Sequence, residues 1–367
     1  MPIETYSLTF YSGIIVTSKK LRVLHIHDVA FVATNLVSGL CEMGVDARLY
    51  TLLKKNTKLP KVLQLIFTTL LRFCEIFRLA QYLRREKFDI IHVHFGSFAY
   101  LAFLNRVPFF LHVHGTDVRT FIHWPILGKI IRHGVKRARA VFYTTPDLKS
   151  LVEKVRPDAI FFPNPIDTAM FNASVETATK TQPVIFNINK IDRYKGTKQV
   201  LRAIELVWRK SPNIMIKMFS FGNAIEEANE FLSKHKNDPR LILIPRIPHD
   251  DMPHHIQTSS IILGQIGTGI LTCSELEAMA CSKSVICNFS YSHMYSVPPP
   301  VLIVNSPEEA SEQLHFLIEN PQMAQKTGEE AREWVVKYFD KRLIAEKLVK
   351  IYQEKSEKSN ISDVAFA

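Results

Sequence analysis

The chain has 367 residues, 47% hydrophobic and 22% charged, which is ordinary composition for about two globular domains and excludes disorder as its main state. No apolar run of about 18 residues is present, residues 1–20 lack the pattern of a secretory signal, and five cysteines without a CxxC fit reduced thiols in a cytosolic protein. The net charge of +11 lies in the first half: residues 1–170 hold 23 Lys+Arg against 12 Asp+Glu, whereas the remainder balances, so the first half is expected to meet an anionic partner.

In chain order, strands are predicted at 21–27, 46–52, 88–94, 108–114 and 139–145. Most are apolar nearly throughout, as parallel strands buried on both faces are. Helical patterns fall between them. One, between Lys54 and Lys87, is rich in Leu and Phe (Val62, Leu63, Leu65, Ile66, Phe67, Leu70, Leu71, Phe73, Ile76, Phe77). Lys54, Lys55, Lys58 and Lys61 flank one end, and Arg84, Arg85 and Lys87 the other. Such a helix suits a bilayer interface; a core helix with a solvated basic face is the alternative. A second basic helix carries Lys129, Arg132 and Lys136. No nucleic-acid-binding motif accompanies this charge, so nucleic acid is not an expected partner. A second series of strands is predicted at 183–189, 213–219, 240–245, 260–265 and 284–289.

Alternating strands and helices imply α/β architecture, here two doubly wound, Rossmann-like domains. The expected division is 1–171, a polar linker at 172–182, 183–345, and a C-terminal helix and tail at 346–367 packing back on the first domain. Ligands of such sheets bind beyond the carboxyl ends of the strands, and a cleft between facing domains is the expected site. His27-Asp28-Val29-Ala30-Phe31 stands where a dinucleotide fold would carry GxGxxG, which argues against a nicotinamide dehydrogenase. The absence of GxxxxGK[ST] argues against a P-loop NTPase.

Three HxH pairs (His25/His27, His92/His94, His112/His114) each close a predicted strand, and residues i and i+2 share a face. Metal ligation, hydrogen bonding to substrate and plain packing are all open readings. Asp28 and Asp117 are the carboxylates nearby in sequence.

Two segments of the second half carry the strongest chemistry. In Asn187-Ile188-Asn189-Lys190-Ile191-Asp192-Arg193-Tyr194-Lys195-Gly196, three cations occupy a strand-to-helix turn, an arrangement suited to phosphate or diphosphate; a solvated basic turn is the plain alternative. In Gly264-Gln265-Ile266-Gly267-Thr268-Gly269-Ile270, followed by Thr272 to Cys281, a strand gives way to a glycine-containing loop and a helix that Thr272 can cap. Gly267 and Gly269 allow backbone N–H groups to approach an anion. Glu277 sits in a small, apolar stretch and needs a partner; Glu275 is expected to face solvent.

NKIDRYKG and ELEAMAC, about 80 residues apart, resemble the G-R-L-x-x-x-K-G and E-x7-E-A-M-A-C-G-x-P motifs of the retaining family-four glycosyltransferases of GT-B fold. His114-Gly115-Thr116-Asp117 resembles that family's first-domain H-G motif, and Phe162-Pro163-Asn164-Pro165-Ile166-Asp167 its P-N-G-V-D. The resemblance implies that Lys195 and Lys190 bind the donor diphosphate, that Glu277 holds the ribose and that His114 reaches toward the donor sugar. Arg193 would supplement the phosphate site. Gly196, Gly267, Thr268, Gly269 and Ile270 would line the donor, and His27, Asp28, His94 and Asp117 the acceptor side. The chain departs from the pattern where the first glutamate of the pair falls on Gly269, and where Ser282 and Ser284 replace Gly and Pro. The activity implied is transfer from a nucleotide-diphosphate sugar to an acceptor such as a glycan with retention, without a cofactor or required metal; the basic charge of the first half adds the expectation of a lipid-linked or otherwise anionic acceptor and a peripheral place at the inner membrane face. A non-catalytic nucleotide-sugar or glycan binder, or a nucleotide-sugar epimerase, are the alternatives.

Overall fold

The computed structural model describes residues 21–53, 60–173 and 182–364. Most of the expected linker, and Lys54, Lys55 and Lys58, lie outside the described residues. The chain divides into two compact units: Ile166–Asp340, and the residues through Pro165 joined by the segment from Lys341 onward.

In the amino-terminal unit, β1 (Arg22–Ile26), β2 (Asp46–Tyr50), β3 (Ile90–His94), β4 (Phe110–Val113), β5 (Val141–Tyr143) and β6 (Ile160–Phe161) form one sheet, in the order β2-β1-β3-β4-β5-β6. Every recorded pairing in it is parallel. The five predicted strands are all present. The sixth, β6, is a two-residue edge strand, too short to leave a pattern. Period-two alternation gives the sheet two chemically different faces. Leu24, Ile26, Ile91, Val93, Leu111, Val113, Val141 and Tyr143 join one apolar core. The opposite face receives His25, His92, His94, Phe110, His112 and Phe142.

That second face is closed by the helix Val32–Glu42 and by the last helix, Lys341–Val364. The last helix buries Ile344, Ala345, Leu348 and Tyr352 at helical spacing. Lys341 donates to Ser38 at 3.0 Å and pairs with Glu42 at 2.7 Å. The observed division falls at Pro165/Ile166 and Asp340/Lys341, a few residues before the expected one. On one side Asn35 Nδ2 donates to the Pro165 carbonyl; on the other Ile166 bridges Asp340.

The strand register sets His25 beside His92 and His94 beside His112. Their rings stack across the sheet at 4.7–5.5 Å between centroids. All four side chains are fully buried. Burial pushes the His25 and His112 imidazoles down to about 3. Burial, with neighbouring imidazoles adding, holds His92 and His94 well below the usual histidine value. The face is therefore a neutral aromatic layer, and His92 Nδ1 meets the Tyr352 hydroxyl at 2.5 Å.

The carboxyl-terminal unit holds β7 (Val184–Asn187), β8 (Met215–Phe219), β9 (Leu241–Ile244), β10 (Ile261–Leu263), β11 (Val285–Cys287) and β12 (Leu302–Ile303), in the order β12-β11-β10-β7-β8-β9. All recorded pairings are parallel. Again the five predicted strands are present, and a two-residue edge strand completes the sheet. Two apolar cores, one centred on Phe186, Ile262 and Met279 and the other on Ile185, Ile204 and Leu263, flank it.

The helix Lys61–Arg85 is anchored through its second half. Glu75 and Leu79 are buried, and Glu75 accepts from Tyr50 at 2.9 Å and from Arg78 at 3.0 Å. Its first half exposes Val62, Leu63, Ile66, Phe67, Leu70 and Phe73, and Phe77 continues the exposed stripe into the second half. Among the described residues, no helix is long and apolar enough to cross a membrane.

The imidazole layer predicts a steep acid dependence of stability. An unfolded histidine takes its proton near pH 6.5, and these folded ones resist it until far lower. Stability is thus complete above about pH 6.5 and is lost as pH falls, by about 1.4 kcal/mol per pH unit for each histidine and about 5 kcal/mol per unit for four. Urea unfolding of His112→Phe, measured between pH 7.5 and 5, should show a slope shallower by about one histidine. An unchanged slope would contradict the neutral layer.

Candidate functional site

In an open parallel sheet the ligand crevice opens where strand order reverses, beyond the carboxyl ends of the strands. For the carboxyl-terminal sheet that place is between β7 and β10, and both motif segments leave the sheet there. The turn after β7 runs from Ile188 through a short 3-10 helix, Arg193–Lys195, into the helix Thr197–Lys210. The loop after β10 leads to the helix Cys273–Ala280. The two loops touch backbone to backbone. Ile266 N–H donates to the Lys195 carbonyl at 3.1 Å. Gly196 has φ +73°, and a Cβ there would stand 2.3 Å from the Ile266 carbonyl oxygen, so only glycine fits.

Glu275 is the centre of this junction. It is fully buried, against the expectation that it faces solvent. Oε1 accepts from Asn189 Nδ2 at 2.8 Å and from Gln265 N–H at 3.1 Å. Oε2 accepts from Thr272 N–H at 3.0 Å and from the Thr272 hydroxyl. Thr272 and Glu275 thereby form a capping box on the helix, the cap expected of Thr272. Four donors satisfy the carboxylate, which makes its burial tolerable.

Lys195 donates to Asn189 Oδ1 and lies 3.5 Å from the Thr272 hydroxyl. Its ammonium is therefore aimed by Asn189, which Glu275 holds in turn. The other two cations of the turn are differently engaged. Lys190 pairs with Asp192 at 3.5 Å, and Arg193 pairs with Glu227 while its side chain is largely exposed. A cavity beside the turn is lined by Asn187, Asn189, Lys190, Lys195, Thr197 and Met218, among others.

Glu277 is buried, and its Oε1 meets His249 Nε2 at 2.8 Å. Burial raises this carboxyl above its usual value, and the His249 hydrogen bond opposes the rise. The partner that Glu277 requires is thus a side chain that sequence reasoning missed. His249 stands in a polar turn, Pro248-His249-Asp250-Asp251, and no spacing links it to Glu277.

The glycine loop differs from expectation. The backbone N–H groups of Gly267 and Thr268, expected to serve an anion, both donate to Gln265 Oε1, at 2.8 and 2.7 Å. The amides of Gly269 and Ile270 have no such partner among the described residues. Gly269 takes φ +68°, a left-handed conformation in which a glutamate would be strained.

The amino-terminal sheet reverses order between β1 and β3. The residues that leave those strands, His27 and Phe95, have φ of +71° and +80°, and Ala30 and Phe31 are also left-handed. Such strain in non-glycine residues gathers at ligand sites. Asp28 accepts from Ala33 N–H at 2.9 Å and the Thr34 hydroxyl at 2.6 Å, so it caps the helix Val32–Glu42. Asp117 is fully buried, accepting from the N–H groups of Gly96, His114, Gly115 and Val118. Both carboxylates thus organise the loops that leave the carboxyl edge of the sheet. His94 is buried and joined to His25 at 2.9 Å and to His114 at 3.0 Å; His114 is partly exposed.

His92, His94 and His112 bring ring nitrogens within 4.8 Å of one another. Ligands about 2.0–2.1 Å from a zinc ion stand about 3.4 Å apart and aim their lone pairs at one point. Here His94 stacks on both His92 and His112, at 20° and 28° between ring planes, and His92 and His112 are tilted by 45°, so in-plane lone pairs do not converge on one point. The geometry is that of packing and hydrogen bonding.

Residues 29–170 match the model of Glycosyltransferase Family 4, and residues 171–334 that of Glycosyl transferases group 1. A curated relative, one component of the phosphatidylinositol N-acetylglucosaminyltransferase of Arabidopsis thaliana, is 26% identical over 233 residues, 60% of this chain. The chain spans about half the length of that relative, 52%. Among solved structures, sucrose-phosphate synthase from Thermosynechococcus elongatus has a TM-score of 0.71 at 13% identity, covering 91% of this chain and 99% of that one. Anabaena HepE in complex with UDP and glucose has 0.66 at 12%, covering 91% and 99%. The family matches run contiguously over residues 29–334, the solved structures share the paired Rossmann-like architecture, and the chain belongs to the glycosyltransferases of GT-B fold.

Proposed function

We propose that this protein transfers a sugar from a nucleotide-diphosphate sugar to a lipid-linked or glycan acceptor, with retention of anomeric configuration. The observation that carries the reading is the Lys195 ammonium, aimed by Asn189 at the switch point of the carboxyl-terminal sheet. In this reading Lys195 stabilises charge that grows on the diphosphate as the anomeric carbon–oxygen bond breaks. Lys190 and Arg193 add positive potential, and the free amides of Gly269 and Ile270 are the remaining backbone donors. Glu277, set by His249, takes the ribose hydroxyls, and His114 meets the sugar. The acceptor oxygen attacks from the face the diphosphate leaves, and a donor phosphate oxygen takes its proton. No cofactor or metal is needed in that scheme. HepE with bound UDP-glucose and the phosphatidylinositol-named relative are precedents in the fold and family for a nucleotide sugar and a lipid-linked acceptor.

The second reading, a binder without transfer, is favoured by Gly269 in place of the first glutamate. Thermal shift with UDP, GDP, ADP and dTDP, free and sugar-linked, separates the cases when followed by turnover. A nucleotide at about 100 times its dissociation constant should stabilise the protein by about 2.7 kcal/mol, and Lys195→Ala should abolish most of that shift. A shift that survives in Lys195→Ala removes the lysine from the donor site. Binding without turnover of any acceptor moves the second reading ahead.

The same proposal places the protein peripherally on the cytoplasmic face of a membrane. Its support is the apolar stripe Val62, Ile66, Leu70, Phe73 and Phe77 standing in solvent on a helix. Around it, residues 47–74 contain six Lys+Arg and no Asp or Glu. Interfacial helices combine these two features, apolar area and attraction to anionic lipid. The full chain should co-sediment with vesicles rich in phosphatidylglycerol and much less with phosphatidylcholine vesicles. Replacing Phe73 and Phe77 by Asp should weaken that binding about tenfold or more. Equal binding of the variant would remove the helix from the interface.

A further inference from the structure

Three histidines of the amino-terminal unit form a row that ends at the carboxyl edge of its sheet. His25 Nδ1 meets His94 Nε2 at 2.9 Å, and His94 Nδ1 meets His114 Nε2 at 3.0 Å. A neutral imidazole has one donor and one acceptor nitrogen. Each link uses one of each, so the row runs in a single direction. Two assignments satisfy it. Either all three rings carry the proton on Nδ1, or all three carry it on Nε2.

The far end decides between them. His25 Nε2 is buried and has no hydrogen-bond partner. In the second assignment this atom is an N–H donor sealed from any acceptor. In the first it is only an unused lone pair. A buried donor without an acceptor is the rarer and costlier of the two, so the first assignment holds. His25 donates to His94, His94 donates to His114, and the His114 proton resides on Nδ1.

We infer that His94 and His25 are positioning residues that fix the tautomer of His114, so that this ring offers one N–H, at Nδ1, to an oxygen lone pair of a bound substrate. The ring is held for this role on two sides. Its Nε2 is engaged by His94, and its backbone N–H lies 3.2 and 3.3 Å from the two oxygens of Asp117. Its Nδ1 has no partner among the described residues, and His114 is the partly exposed member of the row. A neutral, one-way donor can donate to a hydroxyl or a phosphate oxygen alike, and it offers nothing to a group that can only donate. The inference rests on the proposed reading for the existence of a substrate there, and not for the tautomer itself.

The test reads the tautomer directly in the protein without substrate, by nitrogen-15 imidazole spectra of histidine-labelled full chain. His114→Gln identifies the His114 signals. In the wild type, His114 should be the Nδ1–H form. In His94→Asp, whose ionised carboxylate can only accept, it should convert to the Nε2–H form. In His94→Asn, whose amide N–H stands near the place of Nδ1–H, the Nδ1–H form should return. An Nε2–H signal in the wild type, or an unchanged signal in His94→Asp, overturns the inference, whether or not the protein proves to be a transferase. With substrate-bound protein, an Nδ1–H shift on adding nucleoside diphosphate alone identifies phosphate as the acceptor. A shift only with the sugar-linked nucleotide identifies a hydroxyl, and no shift with a nucleotide sugar that binds overturns the substrate role.

Discussion

A buried carboxylate with four donors organises the candidate donor site. Glu275 reaches the end of β7 through Asn189, the end of β10 through the Gln265 amide, and the start of the following helix through Thr272. An unpaired charge in this position would be prohibitively desolvated, so the four donors and the carboxylate require one another. The direction of the Lys195 ammonium follows from that network. A lysine with a long, flexible stem is a poor positioning device unless its end is held, and Asn189 holds it.

The amino-terminal sheet reaches the same end by related means. Asp117 gathers the amides of the loops after β3 and β4, as Glu275 gathers groups at the ends of β7 and β10. Both carboxylates are fully buried beside the carboxyl edge of a parallel sheet. The difference lies in the layer behind. The carboxyl-terminal sheet is backed by aliphatic and aromatic cores on both faces. The amino-terminal sheet is backed on one face by packed imidazoles, of which His25 and His94 bond to each other and His92 to Tyr352.

Much of the fold was legible because parallel strands buried on both faces read as continuous apolar runs. All ten predicted strands exist, and the two that were missed are edge strands of two residues each. The site was legible to a lesser degree. Lys195 and Glu277 could be singled out because a cation in a strand-to-helix turn and a carboxylate in an apolar helix are locally anomalous. Their partners could not. Asn189, His249 and Gln265 are ordinary residues in loops, and their contacts depend on how segments distant in sequence come together in space. Glu275 was misjudged for the same reason, since a glutamate in the first turn of a helix usually caps from the surface. The two glycines expected to admit an anion are explained by backbone geometry, Gly267 by its contact with Gly196 and Gly269 by its left-handed φ.

The last helix has a consequence for the order in which the chain takes shape. Residues 166–340 are contiguous and can complete their own core as soon as they leave the ribosome. The amino-terminal unit cannot, although it is synthesised first. Its imidazole face is covered only in part, by the helix Val32–Glu42, until Ile344, Leu348 and Tyr352 have emerged. During that interval the nascent sheet exposes a face of histidine and phenylalanine that water can protonate and other proteins can bind. Contacts of such long sequence separation fold slowly. The unit made first is therefore the unit finished last, and chaperone attachment during synthesis should concentrate on it.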